Sequence, residues 1–220
     1  MMTLVFSIIV LLVSYLLGSI PFGLLFVRIK TGKDIRQIES GRTGGTNAMR
    51  AGGFGVGIIT IVLDITKAAC TVYLARWLVP GNVWLEVLSP VMAVIGHNYS
   101  IFLTERTGTG GVRFRGGAGG APTVGGAIGL MPVSIVFILP VTLLIWFGLG
   151  YASIATMTSA LLSFIVFFIF TKLGFCPWQY IIYGILTEII LIWALRPNIK
   201  RLINGNERLI GWRSRRKKAE

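Results

Sequence analysis

The chain alternates between long apolar stretches and short polar ones. Largely apolar stretches cover Met1–Val27, almost unbroken from Leu4 to Leu17, and then Phe54–Leu78, Val83–Leu103, Thr123–Gly150, Tyr151–Phe170 and Trp178–Leu195. About 20 residues of helix cross a hydrocarbon layer at 1.5 Å per residue, so each run has membrane length. The first begins without Lys or Arg before Arg28. A secretory signal would place basic residues ahead of the apolar core, so a retained first helix is expected. Gly18, Ser19, Pro21 and Gly23 crowd its last turns. Small residues and Pro at one depth predict close helix contact there.

Charge placement sets the expected topology. The formal net charge is +13, yet Asp, Glu, Lys and Arg make up only 13% of residues and hydrophobic residues 54%. The segment Arg28–Arg50 holds six Lys and Arg, Thr104–Gly116 three, and the stretch from Arg196 onward nine. The basic-inside bias puts all three on the cytoplasmic face, with the N-terminus outside and the C-terminus inside. Six spans would leave the C-terminus outside. The overlong Thr123–Gly150 run carries Pro132 and Pro140, and a Pro breaks a helix by removing a donor and crowding the preceding turn. A break near Pro132 supplies the extra crossing. The expectation is one integral membrane domain over residues 1–220. It is an all-α, seven-helix bundle with one short or broken segment, multi-pass in the cell membrane. Basic residues flanking apolar spans suit membrane lipids and anionic substrates rather than nucleic acid. Cys70 and Cys176 lie in or beside apolar runs and form no disulfide framework.

Two Gly-rich loops carry the candidate chemistry. The first contains Ser40-Gly41-Arg42-Thr43-Gly44-Gly45-Thr46-Asn47. Successive backbone N–H groups in such a loop form an anion nest, or Thr46 and Asn47 cap a helix beginning near Ala48. The two readings are compatible, because helix N-termini bind phosphate. Arg50 follows one turn later. The second loop, Arg113-Phe114-Arg115-Gly116-Gly117-Ala118-Gly119-Gly120, has the composition of a phosphate cradle but not the nucleotide P-loop pattern. His97 is the single histidine, too few for a metal site. Asp64 and Lys67, three apart inside a span, are either a structural pair or a substrate contact, and Glu188 is a further ionisable residue at membrane depth. Asn198, Lys200, Arg201 and Glu207 follow Pro197 as a surface anchor or a site contribution.

In order along the chain, these elements resemble a known family, the bacterial acyl-phosphate:glycerol-3-phosphate acyltransferases. The GSIPFG that ends the family's first span is Gly18–Gly23, and its GxDIR element is Gly32–Arg36. Its first motif, SGNxGATNxxR, matches Ser40–Arg50. Its DxxK is Asp64 and Lys67, and its GHxFP is similar to Gly96–Ser100. Its FKGGKGVAT corresponds to Phe114–Thr123, and its NIKRLxxGxE to Asn198–Glu207.

The resemblance implies that a fatty acyl group passes from acyl phosphate to a hydroxyl of glycerol 3-phosphate, giving lysophosphatidic acid and phosphate without metal or other cofactor. It assigns catalytic roles to Ser40, Arg50 and Asn198. It assigns substrate binding to Thr46, Asn47, Lys67, His97, Arg115, Gly116, Gly117, Gly119 and Glu207. The chain departs from the pattern at several positions. Ala118 stands where the glycine motif has lysine, Arg42 where the first motif has Asn, and Gly45 where it has Ala. The usual histidine before the third motif is absent, and Thr107–Val112 is an insertion. Arg115, with Arg42 or Arg113, is expected to supply the charge that Ala118 lacks. The alternatives are a related transferase with another acceptor and a transporter of small organic phosphates.

Overall fold

The computed structural model describes residues 1–108 and 110–211; Thr109 and the end of the basic tail, residues 212–220, lie outside the described residues. Nine α-helices and one two-stranded hairpin are present among them. They are α1 (Met2–Ser19), α2 (Phe22–Thr31), α3 (Gly45–Gly52), α4 (Phe54–Leu78), α5 (Val83–Asn98), β1 (Ser100–Arg106), β2 (Val112–Arg115), α6 (Gly120–Leu130), α7 (Ile135–Gly148), α8 (Ala152–Lys172) and α9 (Gln179–Ile203).

The expectation of seven helices is therefore corrected, while the all-α membrane architecture holds apart from one short hairpin. Pro21, which has no backbone N–H to donate, divides the first predicted helix into α1 and α2. The first Gly-rich loop folds its second half into α3. The third predicted span ends at Asn98, and its last residues, Ser100–Leu103, enter β1. That strand pairs antiparallel with β2, Thr104 opposite Phe114 and Glu105 opposite Arg113. The break near Pro132 is present: α6 stops at Leu130, and a 3₁₀ turn over Pro132–Ser134 leads into α7.

Among the described residues, four helical runs are long and apolar enough to cross a membrane: Met2–Thr31, Phe54–Leu78, Ala152–Lys172 and Gln179–Ile203. Large apolar side chains point outward, among them Trp77, Phe168, Ile189 and Trp193. The interior holds small polar ones: Ser14, Thr60, Ser159, Ser163 and Thr187 are fully buried. Their hydroxyls donate to carbonyls on their own helices, as Ser14 Oγ to Val10 O at 2.7 Å and Thr60 Oγ1 to Val56 O at 2.7 Å. This inversion of the soluble pattern fits a multi-pass membrane protein, where lipid replaces water outside and close backbone packing replaces the hydrophobic drive between helices.

Glycines set the closest approaches. A side chain at Gly18 would overlap the Ala93 backbone, and one at Gly96 would overlap Tyr15 O, which locks α1 against α5. One at Gly125 would overlap Ile65 O, so α6 lies directly on α4. The C-terminal end of α6, left with free carbonyls by the break, is held by Arg76. Its guanidinium donates to Gly129 O and Leu130 O, each at 3.0 Å, and pairs with Glu86 at 2.9 Å. Tyr180 Oη completes the group by donating to Glu86 at 2.8 Å.

Gly125→Val should destabilise the protein by about 1–3 kcal/mol, the usual cost of overpacking. Gly148, whose added methyl would meet nothing within 4 Å, provides the control, and Gly148→Ala should be close to neutral. Thermal unfolding in detergent measures both. An unchanged transition for Gly125→Val would contradict the α4–α6 contact.

Candidate anion and acyl site

Two helix N-termini and a proline kink build the site. The first Gly-rich loop is stapled by Asn47. Its Nδ2 donates to Arg42 O at 2.9 Å, Ile38 O at 3.0 Å and Ile35 O at 3.3 Å. Those contacts fold the loop back so that Gly44 starts α3 one turn before Ala48, without a side-chain cap. The second loop crosses beside it. Gly116 O accepts from Thr43 N at 3.2 Å, and Gly117 N donates to His97 O at 2.8 Å. A side chain at Gly116 would overlap His97 O, and one at Gly117 would overlap His97 Nε2. Gly119 then takes φ +91° and opens α6, a backbone region that favours glycine. The free N–H groups at the starts of α3 and α6 face one pocket, lined by Gly44–Thr46 on one side and Ala118–Ala121 on the other. Unpaired N–H groups and the helix dipole make each such end a phosphate seat.

The third wall comes from α9. Pro197 lies inside that helix and cannot donate to Trp193 O. Arg196 Nε donates there instead, at 2.9 Å. One residue on, Ala194 O accepts from Arg42 Nη2 at 2.7 Å. Arg42 also donates to Asn198 Oδ1 at 3.1 Å and to Gly117 O at 2.9 Å. Asn198 is oriented in turn by Glu207, whose Oε1 accepts from Nδ2 at 2.8 Å and whose Oε2 pairs with Arg201 at 3.1 Å. Arg50 reaches the same pocket and donates to Leu209 O at 3.2 Å.

Arg42 and Arg50 bring uncompensated positive charge to a lining that also holds Arg208, Asp64 and Glu207. Both hydrogen-bond only to neutral oxygens, and neither has an ion-pair partner among the described residues. Burial pushes both guanidinium pKa values down, and Arg201 adds to that for Arg42. They stay charged, because an Arg pKa starts far above neutrality. A bound anion relieves that cost, and Arg offers phosphate a two-pronged donor.

The sequence-derived candidates separate into groups. Ser40, Thr46, Asn47, Arg50, His97, Gly119, Asn198 and Glu207 line the cavity. Gly116 and Gly117 stand behind its wall as packing positions. Lys67 lies beneath it, paired with Asp64 at 2.8 Å. Arg115 is elsewhere. It pairs with Glu105 at 2.6 Å and faces Arg36 O at 3.4 Å. Arg36 also bridges Asp34 at 2.6 Å, and its hydrogen bond holds the Asp34 carboxyl below the usual carboxylate range. That cluster ties the first loop to the hairpin. Arg42, weighed from sequence only as one substitute among several, shares the pocket with Ala118, which Arg113 and Arg115 do not. Its departure from the family motif was the available signal.

The cavity, about 350 Å³, continues from this polar end into an apolar groove. Phe54, Ile58 and Ile61 of α4 form one lip, and Leu143, Trp146 and Phe147 of α7 the other. One pocket therefore joins backbone N–H and guanidinium donors to an apolar groove.

A family profile described as glycerol-3-phosphate acyltransferase matches residues 8–205. The chain is 35% identical over 218 residues to glycerol-3-phosphate acyltransferase 3 of Dehalococcoides mccartyi, covering 94% of this chain and 96% of that one. It is 35% identical over 203 residues to the glycerol-3-phosphate acyltransferase of Thermus thermophilus, covering 92% and 94%. Among solved structures it is similar to PlsY (YgiH), an integral membrane glycerol 3-phosphate acyltransferase. The glycerol 3-phosphate form superposes with TM-score 0.78 at 29% identity, covering 93% of this chain and 96% of that one. The lysophosphatidic acid form gives 0.74 at 27%, covering 93% and 95%.

Proposed function

The chain belongs to the glycerol-3-phosphate acyltransferase family, and from that membership we propose how its pocket carries out the transfer. The fatty acyl group of an acyl phosphate passes to a hydroxyl of glycerol 3-phosphate, giving lysophosphatidic acid and inorganic phosphate. The observation that carries this reading is the continuity of the pocket, two helix N-termini and two unpaired guanidinium groups at one end and the α4–α7 groove at the other. An acyl phosphate has that polarity.

The donor is a mixed anhydride, so no protein nucleophile is required. The acceptor hydroxyl oxygen bonds to the acyl carbon, the carbon–oxygen bond to phosphate breaks, and the hydroxyl proton leaves with the phosphate. Rate comes from holding the two anions in line and from stabilising charge as it develops. The α3 and α6 N-termini, Arg42 and Arg50 bind the donor phosphate. Asn198, set by Glu207, and Ser40 at the pocket edge position the acceptor. Arg42 supplies the positive charge that Ala118 does not.

The chain sits in the cell membrane with the site on the cytoplasmic face and Met1 on the other. The basic segments around Arg28–Arg50 and Arg196–Arg208 support this orientation. After replacement of Cys70 and Cys176, a single cysteine at Asn204 should react with an impermeant maleimide only once cells are opened. Labelling in intact cells would reverse the orientation.

Purified protein given acyl phosphate should release phosphate faster with glycerol 3-phosphate present than with glycerol or with no acceptor. Equal release under all three would count against the acceptor. Arg42→Ala should lower transfer by roughly 10²-fold, the usual scale for losing one charge-stabilising donor. Placing Lys at position 118 in that background should recover part of the rate. Strictly additive effects in the cycle would mean that positions 42 and 118 share no role.

A further inference from the structure

We propose that His97 serves this pocket as a neutral hydrogen-bond donor, its proton fixed on Nε2 by Lys67, and that Nε2–H binds an anionic oxygen of the acyl phosphate. The inference rests on the acyl-transfer reading for its ligand, but not for the state of the ring.

The geometry beneath the pocket fixes the tautomer. Lys67 is buried, and its Nζ has three neighbours: Asp64 Oδ1 at 2.8 Å, Ile20 O at 2.9 Å and His97 Nδ1 at 3.1 Å. An ammonium group has three N–H donors and no acceptor. Each neighbour must therefore present a lone pair, and Nδ1 must be unprotonated. The rival arrangement has Nδ1–H donating to Asp64 Oδ1. That distance is 3.4 Å, long for a hydrogen bond, and the Nδ1 proton would then face an ammonium proton. A doubly protonated ring adds a second positive charge at the same contact. The Asp64 carboxylate is already paired with Lys67, which leaves the three groups with no net demand for another cation.

With Nδ1 accepting, Nε2 carries the proton. That atom is directed away from Lys67 and toward the two Gly-rich loops. A side chain at Gly117 would overlap it, and the Gly44 side-chain position lies 3.8 Å from it. His97 is 6% exposed and lines the pocket, and Nε2 has no hydrogen-bond partner among the described residues. A nearly buried donor without a protein acceptor, beside two helix N-termini that already favour anions, is placed for an oxygen of the substrate. A neutral donor also suits the chemistry. It adds a hydrogen bond to the leaving phosphate without holding a proton that the acceptor hydroxyl must supply. A general base at this position would instead need an unprotonated Nε2, which Lys67 disfavours.

His97 is the sole histidine, so the protein labelled with ¹⁵N-histidine and purified without a histidine tag gives one pair of ring signals. Nε2 should be pyrrole-type with a bonded proton and Nδ1 pyridine-type near neutral pH. The Nε2 proton should move on addition of a non-hydrolysable acyl phosphonate. A proton on Nδ1, or an Nε2 signal indifferent to that ligand, would overturn the proposal. Two variants separate donor from base. His97→Asn leaves an oxygen for Lys67 but no donor in the pocket, and should lose at least tenfold in transfer rate. His97→Gln returns an N–H to the pocket and should be faster than His97→Asn, with the wild-type pH profile. Equal loss in both variants, with the alkaline plateau gone, would assign a base instead. A wild-type protein with no acyl transfer would remove the functional reading while leaving the tautomer to be decided by the spectrum.

Discussion

The Arg42 guanidinium joins three segments that are far apart in sequence. It donates to Gly117 O in the second Gly-rich loop and to Ala194 O and Asn198 Oδ1 on α9, while its own backbone oxygen accepts from Asn47. Remove that side chain and three part-buried acceptors lose a donor, each at the cost of an unsatisfied polar group. The pocket depends on it twice. It sets the distance between the loops, and it brings a positive charge with no ion-pair partner among the described residues. Asn198 and Glu207 then fall into place, since Asn198 spends its oxygen on Arg42 and its amide protons on Glu207.

Helix breaks do the work that loops do in a soluble enzyme. Pro21 separates α1 from α2, the Pro132 turn frees the end of α6, and Pro197 leaves the α9 carbonyls to be met by Arg196 and Arg42. Each interrupted turn is met by a side chain, Arg76 serving the end of α6. Backbone groups left unpaired inside a bilayer are costly, so breaks persist only where such partners exist. The apolar groove of the pocket lies between α4 and α7, and its polar end lies at the α3 and α6 N-termini.

Much of this was legible in the sequence. The apolar runs located α4, α8 and the start of α9 to within a few residues, though α9 continues past Leu195 to Ile203, and the overlong Thr123–Gly150 stretch announced the break at Pro132. The crowding of Gly18 and Gly23 foretold close approach, seen against the Ala93 and Thr43 backbones. Hydropathy could not reveal α2 and α3, because a Pro-interrupted run averages like one helix and α3 is amphipathic and only eight residues long. It also read Ser100–Leu103 as membrane helix, since Ile101, Phe102 and Leu103 are as apolar in a strand as in a span. At the site, residue type pointed to phosphate binding but not to who binds. Asn47 is occupied by three backbone carbonyls and Arg115 by Glu105, neither of which a linear pattern displays. Arg42 and Ala118 share the pocket although 76 positions separate them (118 − 42).

The proposed chemistry follows from one arrangement, the α3 and α6 N-termini lining a single pocket. An experimental structure of the protein with a non-hydrolysable acyl phosphonate tests it most directly. The expected density puts the phosphonate between Gly44–Thr46 and Ala118–Ala121, touching Arg42 and Arg50, with the alkyl chain between α4 and α7. A phosphonate bound elsewhere, with those helix ends and both guanidinium groups unengaged, would contradict it.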